Sequence, residues 1–457
     1  MPSFGSLNTA FSGMNSQRRV LDITAHNIAN ARTEGYHRQR AELVPLGRSA
    51  TTDVFSGRTQ SFGVDVAGVT RAYDELLAAR AMREESARSA ADLLSTSMNT
   101  VEGVFPEPTD QGLANDLDEF WSSFTDLANE PGSPSARTQL LENAQTLTTS
   151  LNRTAGQLQE IADSSRSRMG TLANEVNDLA DQISDLNRQI SASVDGNLDL
   201  LDQRGVLVGR MANLTGAVAR PNDSGTIDIY LNGRAIVSNT IVQGVDGTTG
   251  VLTWRSDGAA VNPSSGEAQA LTAVITDVVP RYRTMLDGVA ASLVTGVNAL
   301  HSVGYDQGGT TGRNFFDPAG TTAATIALSV DVNGLPANIA AGAPVLPGPT
   351  APGPLDGEQA RRMAALADSP TGADTAYQSL ITTLALETRA AATRATIQER
   401  VADSAVRDAG SVGSVSIDEE MANLTAAQRA FEANARVITA IDDMLGFLIE
   451  RTGVVGR

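Results

Sequence analysis

Along residues 172–190, Leu172, Val176, Leu179, Ile183, Leu186 and Ile190 alternate steps of four and three without a fault. That repeat draws a straight apolar stripe down one side of a helix, as in a coiled-coil seam. The apolar series reaches back through Leu140, Leu147, Leu151, Leu158, Ile161 and Met169. The spacing therefore predicts one helix over 140–194, roughly 80 Å long at about 1.5 Å per residue. A globular enzyme seldom needs such a rod; an elongated subunit does. Aromatic residues form 4% of the 457-residue chain against 41% apolar, which suits narrow helix–helix seams better than bulky sandwich interiors.

Both ends carry amphipathic stripes. Near the start, Leu7, Phe11, Met14, Leu21, Ala25 and Ile28 recur at three- and four-residue steps, with Ser3 or Ser6 as a cap and Gly35 beyond the end. Gly5, Ser12 and Gly13 weaken this helix, since an interior glycine costs about 1 kcal/mol against alanine. Such a helix needs a partner to stay folded. Near the other end, after the turn-like run GSVGSVS, a helix from Asp418 sets Met421, Leu424, Phe431, Ala435, Ile438, Ile441, Leu445 and Leu448 on one stripe. Gln428 and Asp442 fall near its seam. Two interrupted stripes at opposite ends are natural partners; they equally fit two ordinary core helices, and periodicity alone does not separate these.

Helices are expected at 71–99, through Leu113–Leu127, and again at 281–302, 357–368 and 375–408, with a break at Pro131 to Pro134. Strand signals begin after residue 216: Thr226–Leu231 and Ala235–Val237 flank Asn232-Gly233, a strong hairpin pattern, and Val251–Trp254 follows. The expected fold is mainly α and elongated. Residues 1–70 and 410–457 form a terminal coiled coil, while 71–215, 281–302 and 357–409 form a long-helix bundle body from both halves of the chain. A small β region at 216–280 is inserted, and 303–356 is a loop and short-strand excursion with a proline-rich linker (Pro336, Pro344, Pro347, Pro349, Pro352, Pro354).

Charge and missing residue types narrow the chemistry. A net charge of −19 disfavours nucleic acid or anionic membrane as the main ligand. Residues 101–200 hold seventeen acidic residues against five arginines, which reads as a solvated outer face; residues 1–50 hold six arginines against three acids, a candidate contact surface. Cysteine and lysine are both absent, which removes disulfides, thiolate nucleophiles, the P-loop lysine and Schiff bases. No run of about 18 apolar residues is present, and the start lacks the basic-then-apolar order of a cleavable signal. His26 and His37 lack the spacing of a zinc helix. His301, near Tyr305 and Asp306, suits a helix-end contact with backbone better than acid–base work. The acidic runs Glu84-Glu85, Asp418 to Glu420 and Asp442-Asp443 read as solvated faces, and Gly304, Gly308, Gly309 and Gly312 match no phosphate loop. No catalytic, cofactor or metal constellation is expected.

The segment SLNTAFSGMNSQRRVLDITAHNIANARTEGYHRQR resembles the N-terminal signature of bacterial flagellar axial proteins, with Asn27, Ile28, Ala29, Asn30, Thr33, Gly35 and Tyr36 in place. Glu34 stands where that family usually has proline. EEMANLTAAQRAFEANARVITAIDDML resembles the matching C-terminal signature. Inside the chain, FWSSFTDLANEPGSPSARTQLLENAQTL, DLLDQRGVLVGRMANLTG and NALHSVGYD with NFFD are similar to the hook–filament junction members of that family. The resemblance implies a secreted structural subunit, exported unfolded, whose end helices polymerise. Its implied partners are other copies, hook subunits, the next junction and filament-side axial proteins, and an export chaperone at the C-terminal helix. Hook or distal rod protein is the alternative, and a tip-associated peptidoglycan hydrolase the more distant one. The implied assembly residues are Leu7, Phe11, Met14, Leu21, Asn27, Ile28, Asn30, Gly35 and Tyr36 with Met421, Leu424, Phe431, Ile438, Ile441, Leu445 and Leu448.

Overall fold

Helix α1 (Phe4–Asn30) opens the chain and is followed by an antiparallel hairpin, β1 (Gln39–Pro45) and β2 (Val64–Arg71), paired from Gln39↔Arg71 to Pro45↔Val64. The computed structural model describes residues 4–46, 63–193, 197–222, 225–345 and 351–452. The hairpin lies inside the 1–70 segment expected as coiled coil alone. Its second strand, VDVAGVTR, has half-buried valines between exposed neighbours at its start, and the short alternation was masked by the stronger helical stripe before it.

Next come α2 (Glu75–Glu102), α3 (Leu113–Asn129) and α4 (Pro134–Ala192). Asp74 caps α2 by accepting from Leu76 and Leu77 N–H. Ser133 caps α4 by accepting from Ala136 N–H, and Pro134 sits in its first turn, where no helical N–H is missed. At 59 residues, α4 runs about 90 Å, so the long rod is present as one helix. Helix α5 (Leu198–Thr215) then ends at Gly216, whose φ of 72° is left-handed.

The β region holds a four-stranded antiparallel sheet, β3 (Val218–Pro221), β4 (Ile227–Leu231), β5 (Arg234–Ser238) and β6 (Ile241–Val242), in sequence order. Asn232 and Gly233 turn it with φ of 45° and 87°, the double left-handed turn that Asn-Gly favours. A separate pair, β7 (Val245–Asp246) and β8 (Thr253–Trp254), is shorter than the expected Val251–Trp254 strand. Helix resumes at α6 (Gly266–Ala273), not at 281. It passes through a π-helical turn at Val274–Val278 into α7 (Val279–His301). The widened turn accommodates Pro280 without ending the helix. Last come α8 (Glu358–Ala364), α9 (Ala373–Gly413) and α10 (Ile417–Thr452). The run GSVGSVS is thus helical through Gly413.

Two cores divide the body. One joins α3, the first part of α4, α7 and α9 around an aromatic cluster, in which Phe120 and Phe124 meet Phe315 at 5.9 and 5.5 Å between ring centres. Phe315 and Phe316 come from the stretch expected as an excursion. Asn298 holds them in, accepting from both their N–H groups and donating to Phe316 C=O. The sparse aromatics are therefore concentrated, not replaced by narrow seams. The second core buries Leu172, Val176, Leu179 and Ile183 beneath the sheet and α5, against Ile229, Trp254, Val208 and Met211. The four-and-three row specifies a stripe and leaves open what covers it; here the sheet and α5 do, with Met82 and Leu93 of α2 packed against the same core. Pro347 and Pro349 lie outside the described residues.

The candidate assembly interface

Helices α1 and α10 lie antiparallel, with Gly13 facing Asn434 and Asn27 facing Glu420. On α10 the row turned inward is Glu420, Leu424, Ala427, Phe431, Asn434, Ile438, Ile441 and Leu445, in strict steps of four and three. Ile441 and Ala427 are buried, and Leu424, Phe431, Ile438 and Leu445 half-buried. The facing row on α1 is mostly small or polar: Ala10, Gly13, Gln17, Val20, Thr24 and Asn27. A Cβ on Gly13 would stand 3.0 Å from Asn434 Nδ2, so the glycine that weakens the isolated helix permits the close approach.

At one end of this pair a buried polar clasp forms around Asn27, which is 1% exposed. Its amide donates to Gln39 C=O and to Glu420 Oε2, both at 2.9 Å. Its oxygen accepts from Tyr36 O–H at 2.7 Å and Gln39 N–H at 2.9 Å. Every hydrogen-bonding position of the side chain is filled. Burial, then the nearby Asp199 and Asp202, pushes the Tyr36 phenol up, so it remains a donor. Arg38 pairs with Glu420 at 2.7 Å and with Glu419 at 3.1 Å, tying the turn after α1 to the start of α10.

The same turn docks on the body. Gly35 (φ 73°) packs so tightly that a Cβ would stand 2.3 Å from Val206 Cγ2 of α5. Asp202 of α5 takes three bonds: from His37 N–H at 3.0 Å, His37 Nδ1 at 2.8 Å and Arg71 at 2.9 Å. Burial opposes ionisation of Asp202, but the His37 and Arg71 bonds outweigh it and hold the carboxyl below its ordinary range. Asp199 accepts from Gln39 Nε2 at 3.0 Å. Helices α2 and α9 run antiparallel from this junction into the body, cross-linked by Arg88–Asp403 and Arg80–Asp408 at 3.5 Å each.

The sequence-named residues therefore divide. Asn27, Gly35 and Tyr36 meet at the clasp, and Asn30 caps the turn, accepting from Thr33 N–H through its backbone. Leu424, Phe431, Ile438, Ile441 and Leu445 face α1. Leu7, Met14, Leu21 and Ile28 are half-buried, whereas Phe11 and Met421 are 52% and 49% exposed. The side chain of Leu448 lies outside the described residues. Arg38, Arg71 and Asp202 escaped the sequence reading, although DLLDQR had been singled out as a whole motif. Glu420 was expected on a solvated face but is 2% exposed, because Asn27 and Arg38 pair with its carboxylate. Elsewhere, buried His301 bonds the backbone at both ring nitrogens, through Arg313 C=O and Ala340 N–H. Burial lowers its pKa to about 4, and it has the backbone-contact role its position suggested. Among the described residues, no three His, Cys, Asp or Glu side chains gather as a metal site, and no helix is long and apolar enough to cross a membrane.

Known proteins agree with this geometry. The helical domain of the flagellar hook-associated protein FlgK matches residues 98–316. The C-terminal family of basal body rod FlgEFG proteins matches 414–451, and the basal body rod protein family matches 7–37. Flagellar hook-associated protein 1 of Bacillus subtilis is 27% identical over 100% of this chain and 99% of its own length. The Salmonella typhimurium protein of that name is 25% identical over 68% of this chain, which spans 59% of that relative. The solved flagellar hook junction protein FlgK from Burkholderia pseudomallei shares the fold, with a TM-score of 0.63 at 15% identity, over 74% of this chain and 100% of that one. Ends, body and fold thus point the same way: the chain matches flagellar rod families at both ends and is similar over its whole length to hook-associated protein 1 of Bacillus subtilis.

Proposed function

We propose that this protein is a secreted structural subunit of the bacterial flagellum that joins hook to filament and polymerises through its end helices. The observation that carries the reading is the antiparallel α1–α10 unit, held to a long helical body by the Asn27–Glu420–Arg38 and His37–Asp202–Arg71 contacts. A unit made from both chain ends can stack on hook subunits below and filament-side axial proteins above, while the body stays outside it. The role is mechanical and no chemistry is assigned. The named assembly residues would serve this unit, and α10 would be the segment an export chaperone covers before secretion. The hook-associated match in the body favours a junction over a hook or distal rod protein. A strain lacking the chain should build complete hooks and release filament subunits into the medium unpolymerised. Full-length filaments on such cells would overturn the junction role.

A further inference from the structure

The end helices carry more apolar surface than their mutual contact uses. On α1, about 100° round from the row facing α10, Leu7, Phe11, Met14, Leu21, Ala25 and Ile28 form a second row in steps of four and three, broken at Arg18. Phe11 and Ala25 are exposed. The hairpin takes a third face, where Ser12 and Ser16 bond the Val64 backbone. Helix α10 repeats the arrangement. One residue before each inner position from Ala427 onward, Ala426, Ala430, Ala433, Val437, Ala440 and Met444 make a second row with the same alternation. Val437 is 47% and Met444 46% exposed. Ala426 and Ala430 also line a groove of about 480 Å³ shared with Val20, Ile23 and Leu43.

We infer that these second rows are two halves of one contact between successive copies of this chain, α1 of one copy lying on α10 of the next. This rests on the polymerising role proposed above and goes beyond it by naming the surfaces. Size is one reason. Within a chain, large α10 residues meet small α1 residues; the outer rows invert this, with large side chains on α1 and mostly alanine on α10. Charge is the other. Helix α1 carries Arg18 and Arg19 against Asp22, whereas α10 carries seven acidic residues against three arginines. Pairing α10 with α10 would oppose acids, and pairing α1 with α1 would oppose arginines; α1 on α10 opposes unlike charge. Each copy then offers a different face to each neighbour, a head-to-tail contact that repeats into a ring or helix.

The chain has no cysteine, so the contact can be tested by cross-linking assembled protein on cells. Met14→Cys and Ala433→Cys copies are expressed together, with Phe11→Cys and Val437→Cys as a second pair one step along each row. At least one pair should form a disulfide between the two variants, and no variant should cross-link to itself. Self-linking alone, or no mixed disulfide in flagella that contain the protein, overturns the contact while leaving the junction role standing. Absence of the protein from flagella overturns both. Separately, Ala433→Phe should lower incorporation about tenfold through overpacking and leave melting of the free chain unchanged, because Ala433 is exposed there. Unchanged incorporation would also overturn the contact.

Discussion

Asn27 shows how much a single side chain can specify. Its four bonds reach β1, the turn and α10. Asn27→Leu would strand the half-buried Gln39 N–H and one oxygen of buried Glu420. The expected loss is about 1–3 kcal/mol, read as earlier denaturant unfolding of the end unit. The motif around Asn27 was legible in the sequence, but its partners were not: Glu420 lies 393 positions away, and local patterns carry no such pairing. His301 gives a pH prediction of definite sign. Burial lowers its pKa from 6.5 to about 4. The unfolded chain thus takes up a proton first, and stability falls as pH drops from 6.5 towards 4. The loss approaches about 3 kcal/mol at the lower end. Asp202 has a depressed carboxyl pKa, so its contribution is present above the ordinary carboxylate range and is lost only as pH falls through its lower folded value. Denaturation midpoints at pH 7, 5.5 and 4 should decline in wild type and decline less in His301→Gln.

At the scale of elements, the sequence spoke clearly where one stripe ran long and faintly where structure depended on a neighbour. Helices α1, α4 and α10 and the Asn232-Gly233 hairpin were legible because their signals are local. The β1–β2 hairpin, the start of helix at Gly266 and the burial of Phe315 were not, since each is decided by tertiary contact. The stripe on α4 was real, yet its cover is the sheet. Asparagines make the difference there: Asn187 donates to Ile227 and Asn239 C=O, and Asn177 bonds Val245 at both its N–H and C=O. A helix so armed holds strand backbones in a way that an apolar seam does not. For the end unit, Ile441 is the buried anchor at 4% exposure. Ile441→Ala should cost about 2–5 kcal/mol if the site does not collapse. Hydrogen exchange should quicken in α1 and α10 while the buried middle of α4 keeps its protection.

The described residues form an end unit and a body. The end unit, α1 with α10 and the hairpin, meets the body where β2 leads to α2 and α9 leads to α10. Two strands of backbone alone would make a hinge, because a few connecting residues such as Ala72 and Ser414 can absorb a large rotation. The clasp removes that freedom. Gly413 is pressed against the His37 ring and Ala72 C=O, where a Cβ would stand at 2.7 and 2.9 Å. Arg38 N–H donates to Gly413 C=O at 2.9 Å, and Asp202 binds His37 and Arg71 from the body side. Load passed between the ends and the body therefore crosses a braced joint. Asp202→Asn weakens the charge-assisted bonds from the His37 ring and Arg71, each worth roughly 1.5–3 kcal/mol, without touching either core. Such a protein should melt in its body as wild type does, but sample more orientations of the end unit. Small-angle scattering of the free chain should then report a broader distance distribution at long separations, and trypsin should cut sooner at Arg71. An unchanged scattering curve with unchanged cleavage would mean that the joint is stiff without its clasp.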